Sequence, residues 1–470
     1  IYANSVLLGD DGPDGWGIRY AREFDMTNDS KLFIPRDKAE AAGYRPDEYG
    51  RWVGKEGDAV GDVLLPLYEG RMIGQFDFSE KGWVSGKGRS AVWREIPWGE
   101  KRIEPQFVMP IANWRAALAE GKDDKVRVTG TKLIFMAIGS ATNRRSMFAT
   151  LVRDVPCGNS VPILQPRAEV AGSLAMAAAM NSVSYDFALR AKLGGLNLNY
   201  FVISETPLTR TVDALPAALG VSAKLSLGHP WFSPTWVELA ASSSTIEVPP
   251  SRWPLTLHER LRLRCMLDAI VAVLYGLNRD DFAWILKDCD HPPTRLADNA
   301  FCRCLDPKGF WRVDKGQDAE LRHTVLSLAA FDDLATAIAT AGDRDAGIQA
   351  FCDQHDGDGW MLPETLCLAD LALTRTVDAG TYDERARTPQ PVRSRLGERF
   401  LDWQLNQTPE ESWAECERHS KAILGEGELE RQIGLRSGSL VEDSSRTKSA
   451  DPDRGPNGPK AVDRQGTLFD

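Results

Sequence analysis

The spacing of apolar and polar positions divides the chain into three stretches. Residues 1–60 carry no sustained period: "GDDGPDGWG" is a loop by its Gly, Pro and Asp content, and "KLFIP" predicts a short strand closed by Pro35. Apolar runs of strand length follow. "GDVLLPLYEGRMIGQFDF" (61–78) predicts strand, bend at Gly70, strand; "KLIFMAIG" (132–139) and "SMFATLV" (146–152) predict two more, joined by the polar turn "SATNRR". "AGSLAMAAAMNSVSYDFALRAKL" (171–193) has the Ala and Leu content and the apolar spacing of a helix stopped by Gly194 and Gly195, after which "LNLNYFVI" alternates like a strand. From "PLTLHERL" the period becomes helical. Leu257, Leu261, Leu267, Ile270, Val271 and Leu274 recur at three- and four-residue steps, Gly276 stops the segment and Asn278 caps the next. "AELRHTVLSLAAFDDLATAIATA" and "EESWAECERHSKAIL" predict further helices.

The predicted fold class is α+β. Residues 1–60 form a connector, 61–250 a mixed α/β domain, 251–425 a mostly helical domain, and 426–470 a polar Pro/Gly/Ser-rich tail expected to be disordered.

With 470 residues, 43% of them hydrophobic, the chain can bury a large core. The longest apolar run, "CMLDAIVAVLYGL", contains Asp268 and is short for a membrane span, so no membrane partner is expected. Eight scattered cysteines suit a reducing cytoplasm better than a disulfide framework. The net charge of −11 argues against a simple nucleic-acid binder. It is unevenly spread: residues 61–260 hold 22 Lys+Arg against 18 Asp+Glu, and 111–160 hold 8 against 4. An acidic chain with a basic middle can still bind DNA locally.

Candidate chemistry is sparse. Cys289, His291, Cys302 and Cys304 lie within "CDHPPTRLADNAFCRC", but C-x-H and C-x-C pairs are spaced too tightly for a usual zinc site, and no metal is expected. The pair Cys352 and His355 in "CDQHDGDGW" is weaker still. There is no G-x-S-x-G, no P-loop and no G-x-G-x-x-G, and His229, His258 and His323 fit structural roles. What remains is a recognition surface. "SEKGWVSGKGRSAVWREIPWGEKR" (79–102) interleaves Lys87, Arg89 and Arg94 with Trp83, Trp93 and Trp98, and "TNRR" places Asn143, Arg144 and Arg145 at a turn. Cations neutralise phosphates, Arg suits guanine and Asn adenine edges. Taken singly, each of these residues reads more readily as a solvated surface group.

Three blocks together, "LLPLYEGRMIGQFDF", "KLIFMAIGSATNRRSMFATLV" and "AMNSVSYDFALRAKLGGLNLNYFVISETPL", resemble the C-terminal target-recognition region of adenine-specific restriction-modification DNA methyltransferases, including type IIG and phage-defence enzymes. The likeness continues through "LDAIVAVLYGLNRDDFAWIL", "DPKGFWRVDKGQDAELRHTVLSLAAFDDL" and "QPVRSRLGERFLDWQL", and so spans most of 15–425. It implies a duplex-DNA partner, with Arg71, Arg190 and Lys192 among the DNA-facing residues. It also implies that Gly194 and Gly195 permit close backbone approach and that Asn197 and Asn199 reach polar groups. The alternative for the glycines is a plain helix stop.

The family's cofactor loop and its [DNS]-P-P-[YF] tetrapeptide are missing; "EVPPSR" and "DHPPTR" do not match the latter. With Ile1 as first residue, the expectation is that a methyltransferase domain, with or without a nuclease, lies upstream and binds S-adenosylmethionine, while this chain binds no cofactor and is inactive alone. "QGTLF" resembles a peptide that docks on the replication sliding clamp, which points to Gln465, Leu468 and Phe469. The competing function is a protein-protein scaffold built on the acidic helical half.

Overall fold

The computed structural model describes residues 1–56, 59–119, 129–167, 169–209, 215–242, 252–289, 291, 293–317, 321–366, 388–392 and 396–434. The clamp-like peptide lies outside them. The fold is α+β, with antiparallel sheets and helices packed on them.

A four-stranded antiparallel sheet lies at the centre, in the order Ala149–Arg153, Thr131–Phe135, Ile163–Gln165, Arg19–Ala21. All five residues of Thr131–Phe135 are buried, as the unbroken apolar run requires of a strand covered on both faces. Its one charge, Lys132, is fully buried and donates to Glu23 Oε1 at 2.8 Å. A second sheet of five short strands contains Ile34–Pro35, Phe107–Pro110 and Ala59–Pro66, and the hairpin Lys81–Ser85 with Val92–Glu95 stands apart from both sheets.

The helix Glu169–Met180 packs against the central sheet. Its Ala175, Ala177, Ala178 and Ala179 are fully buried, small side chains that bring neighbouring elements close on every side. The expected single helix 171–193 is two. The chain turns at Asn181, whose side-chain amide accepts from Ala149 N at 3.0 Å and donates to Ala149 O at 2.8 Å, adding a rung to the sheet edge. Ser182 then caps Val183–Lys192 by accepting from Tyr185 N at 3.1 Å. Two further expectations fail. The second strand of 61–78 is replaced by a 3-10 turn, Gly70–Met72, followed by a loop in which buried Phe76 has a left-handed φ of 56°. "LNLNYFVI" becomes the short helix Tyr200–Ser204, in which the consecutive residues Val202 and Ile203 are both buried.

The long helix Leu257–Leu274 forms as predicted. Thr256 caps its start, and Gly276, at φ 73°, leaves room for Asn4, whose amide donates to Tyr275 O at 3.2 Å. Asn278 caps the next helix by accepting from Asp281 N at 2.8 Å. Leu257–Leu274 packs against His323–Ala341, Pro216–Ser226 and Glu169–Met180, so one continuous core runs from Leu8 to Leu429, through the expected boundaries at 60 and 250. Buried Asp268 pins this junction: it accepts from Val183 N at 2.8 Å and Ser327 Oγ at 3.1 Å, and lies 2.9 Å from His323 Nε2. His323–Ala341 is long and apolar enough to cross a membrane, but most of its first three turns are buried in this core. At the C-terminal end, 426–434 of the expected disordered tail are helical; 435–470 lie outside the described residues.

Candidate nucleic-acid interface

Three segments distant in sequence meet around one buried carboxylate. Asp186 projects from the helix Val183–Lys192 and is fully buried. Its oxygens accept from Ser146 N at 3.0 and 3.2 Å, and pair with Arg145 Nε at 3.0 Å and Arg190 Nε at 2.9 Å. Arg190 continues the network outward. It donates to the carbonyls of Asn143 at 3.0 Å, Arg144 at 2.8 Å, Lys308 at 2.7 Å and Gly309 at 3.3 Å. Its guanidinium lies over the Phe310 ring, 4.1 Å from the centroid. Burial pulls the Arg190 pKa below its ordinary value while the Asp186 charge pulls it back up. Arg145 donates to Asn181 O at the helix break. The guanidinium fork thus clamps "TNRR" to "DPKGFW".

Arg145 and Arg190, expected to face DNA, are therefore structural: each is at most 5% exposed, and both are consumed by Asp186 and by backbone carbonyls. Their neighbours remain outside. Asn143 and Arg144 have exposed side chains at the tip of the turn, held there by their own carbonyls' bonds to Arg190. Beside them runs 194–198, since Gly139 N donates to Leu196 O and Leu198 N to Ala137 O, both at 2.8 Å. Asn197 is exposed and bridges to Ile138. Gly194 and Gly195 are not the helix stop: the helix ends at Lys192, Leu193 is its extended cap, and neither glycine is left-handed. A Cβ on either would meet nothing, so no packing within the chain demands glycine there.

The other expected residues divide similarly. Arg71, in the middle of the Gly70–Met72 turn, and Lys87 and Arg89, at the hairpin tip, are exposed. Arg94 is not free: it pairs with Glu104 at 2.6 Å, which also holds Arg102. Lys192 is half-buried, 3.5 Å from Glu205. Asn199 precedes the helix Tyr200–Ser204 without capping it and accepts from Arg22 Nη2 at 3.5 Å.

Catalytic and metal chemistry find little here. Among the described residues no three His, Cys, Asp or Glu gather as metal ligands. The thiols of Cys157, Cys352 and Cys416 are each pushed up to about 12 by burial. A cleft of about 660 Å³ beside Arg36, Lys101 and Glu104 is lined by charges already paired with one another: Arg36 with Glu40, Arg102 with Glu104. Among the described residues, the strands that run directly into helices, Ile34–Pro35 and Phe107–Pro110, do so without an intervening glycine.

Sequence reading missed two things. One is Asp186 as the centre of the network, for which the only local signal was its place four residues before Arg190. The other is an open basic cleft around Trp311. Comparisons of the chain with known protein families, with curated proteins and with solved structures gave no match.

Proposed function

We propose that this chain is the DNA sequence-recognition part of a site-specific DNA N6-adenine methyltransferase of a restriction-modification or phage-defence system. Its methyl donor, S-adenosylmethionine, would be bound by a separate methyltransferase domain. One observation carries the proposal beyond the sequence blocks. "TNRR", "NSVSYDFALR" and "DPKGFW", three segments of the resemblance, interlock on Asp186 so that Asn143 and Arg144 project from a rigid turn beside the glycine loop 194–197. A turn fixed by buried ion pairs presents an Arg and an Asn with little ordering left to lose, which suits base-edge or phosphate contact. Lys87 and Arg89 on the projecting hairpin add a second cationic point.

Binding of the chain to random-sequence duplex at rising salt tests the proposal. Affinity that falls steeply with salt is expected, because phosphate contacts release counterions. Absence of binding at low salt would refute it. A scaffold role has one observation in its favour: Ile138, Leu196 and Phe201 are 57%, 62% and 67% exposed, an apolar edge alongside the same loops. A scaffold would bind no DNA at any salt.

A further inference from the structure

The segment that Arg190 anchors does more than support the turn. Beyond Lys308 and Gly309 the chain forms the Phe310–Arg312 turn, and with the short helix Asn299–Cys302 it encloses an open cleft of about 480 Å³. Asn299, Arg303, Trp311, Arg312 and Lys315 line it. Cys302, Leu305 and Pro307 complete the lining, so three of its eight residues are cations, and among the described residues no carboxylate lines the cleft. The nearby acids are occupied elsewhere. Asp306 holds Lys287 at 3.1 Å and accepts from Lys308 N at 2.8 Å; Asp298 caps its helix by accepting from Ala300 N at 2.8 Å; Asp314 accepts from Thr324 N at 3.0 Å. Exposed Arg303 and half-buried Arg312 and Lys315 have no ion-pair partner among the described residues, although half-buried Arg94, Lys192, Arg279 and Lys287 do. Arg312 is held flat, 4.1 Å from the Trp311 ring centroid and donating to Pro307 O at 2.7 Å, so its remaining donors project from a fixed plane. Three unpaired cations, one of them held in place over an aromatic floor, with an amide at the rim, are suited to a phosphate diester.

We infer that this cleft grips a backbone phosphate of the DNA whose bases face the Asn143–Arg144 turn. The assignment rests on the proposal that the chain binds DNA, and adds where the backbone is held. Lys308 links the two places, since its carbonyl accepts from Arg190 and its Nζ donates to Arg190 O at 3.2 Å. The cleft is therefore mounted on the same clamp as the turn, and its distance from the bases is fixed.

The test compares the full chain with its Arg303→Gln/Lys315→Gln variant. Neither side chain makes a hydrogen bond that the fold uses, and thermal melting checks that the variant folds. Duplex affinity is measured across a salt series for both, and inorganic pyrophosphate is tried as a second probe. The expected result is an affinity about tenfold or more weaker, with the slope of log K against log salt reduced by about 0.9, the share of one neutralised phosphate. Duplex binding with unchanged affinity and slope in the variant would overturn the cleft and leave DNA recognition standing. No duplex binding by the unmodified chain would overturn both. Pyrophosphate binding that the variant abolishes, without duplex binding, would make this a site for a free phosphate and equally overturn the inference.

Discussion

Replacing Asp186 by Ala removes the carboxylate that pairs with both Arg145 and Arg190. Both guanidiniums are at most 5% exposed, and Asp186 is fully buried. The substitution therefore leaves two buried like charges together, and it strips Ser146 N of its acceptor. Breaking a buried ion pair by deleting one partner destabilises by about 3–5 kcal/mol, because the surviving charge cannot be resolvated. Carbonyls of Asn143, Arg144, Lys308 and Gly309 still solvate Arg190, which argues for the lower end of that range. A chain of this size need not unfold in one step, so the readout should be local. Amide exchange across 140–146 and 306–310 should accelerate by about a hundredfold or more, the equivalent of about 3 kcal/mol. Asp186→Asn preserves the shape and separates charge from volume; most of the acceleration should persist. Exchange in Asp186→Ala within about threefold of the unmodified chain would mean that the network stores less than about 1 kcal/mol, and the rigid-turn argument would fail.

Adjacent arginines should behave oppositely. Arg144→Ala should weaken DNA binding and leave stability within about 0.5 kcal/mol, whereas Arg145→Ala should unfold more easily by several kcal/mol; affinity and melting curves separate the two. Lys132→Met strands buried Glu23 and should cost about 3–5 kcal/mol, while Lys132→Met/Glu23→Gln should recover part of it; a double variant worse than the single would contradict the pairing. His229 is pushed down to about 4, chiefly by burial, with a hydrogen bond to the Lys101 backbone opposing. The folded state thus stays neutral where the unfolded chain binds a proton, so stability is complete above about pH 6.5 and is lost as pH falls towards 4, by roughly 3 kcal/mol. His229→Asn, which can still accept from Trp231 N, should flatten that part of the pH profile measured by denaturant melts.

What the sequence made legible was what it encodes locally. The buried strand Thr131–Phe135, the helix Leu257–Leu274 with its Gly276 stop, and the Asn278 cap all follow from neighbouring residues. The break at Asn181 does not, because its cause is Ala149, a sheet edge 32 residues away. The divergence of Arg144 from Arg145 is likewise non-local. Identical in type and adjacent, they are separated only by an acid 41 residues beyond Arg145. Helix Tyr200–Ser204 looked like a strand because Asn and Leu alternate just before it, yet the alternation stops at Tyr200, where the helix begins. The cleft at 299–315 was passed over since "FCRC" was weighed for metal ligation alone, while its cations converge only once the segment folds back on Arg190.

The most direct measurement is selection of duplexes bound by the chain from a randomised pool, followed by sequencing, in parallel for the unmodified chain and for Asn143→Ala/Arg144→Ala. A DNA-recognition part should enrich one short motif, and the double variant should lose preference at part of it while retaining the salt-dependent backbone affinity. Recovery of the pool without enrichment, or the same motif at the same strength from both proteins, would contradict the claim that this turn reads DNA.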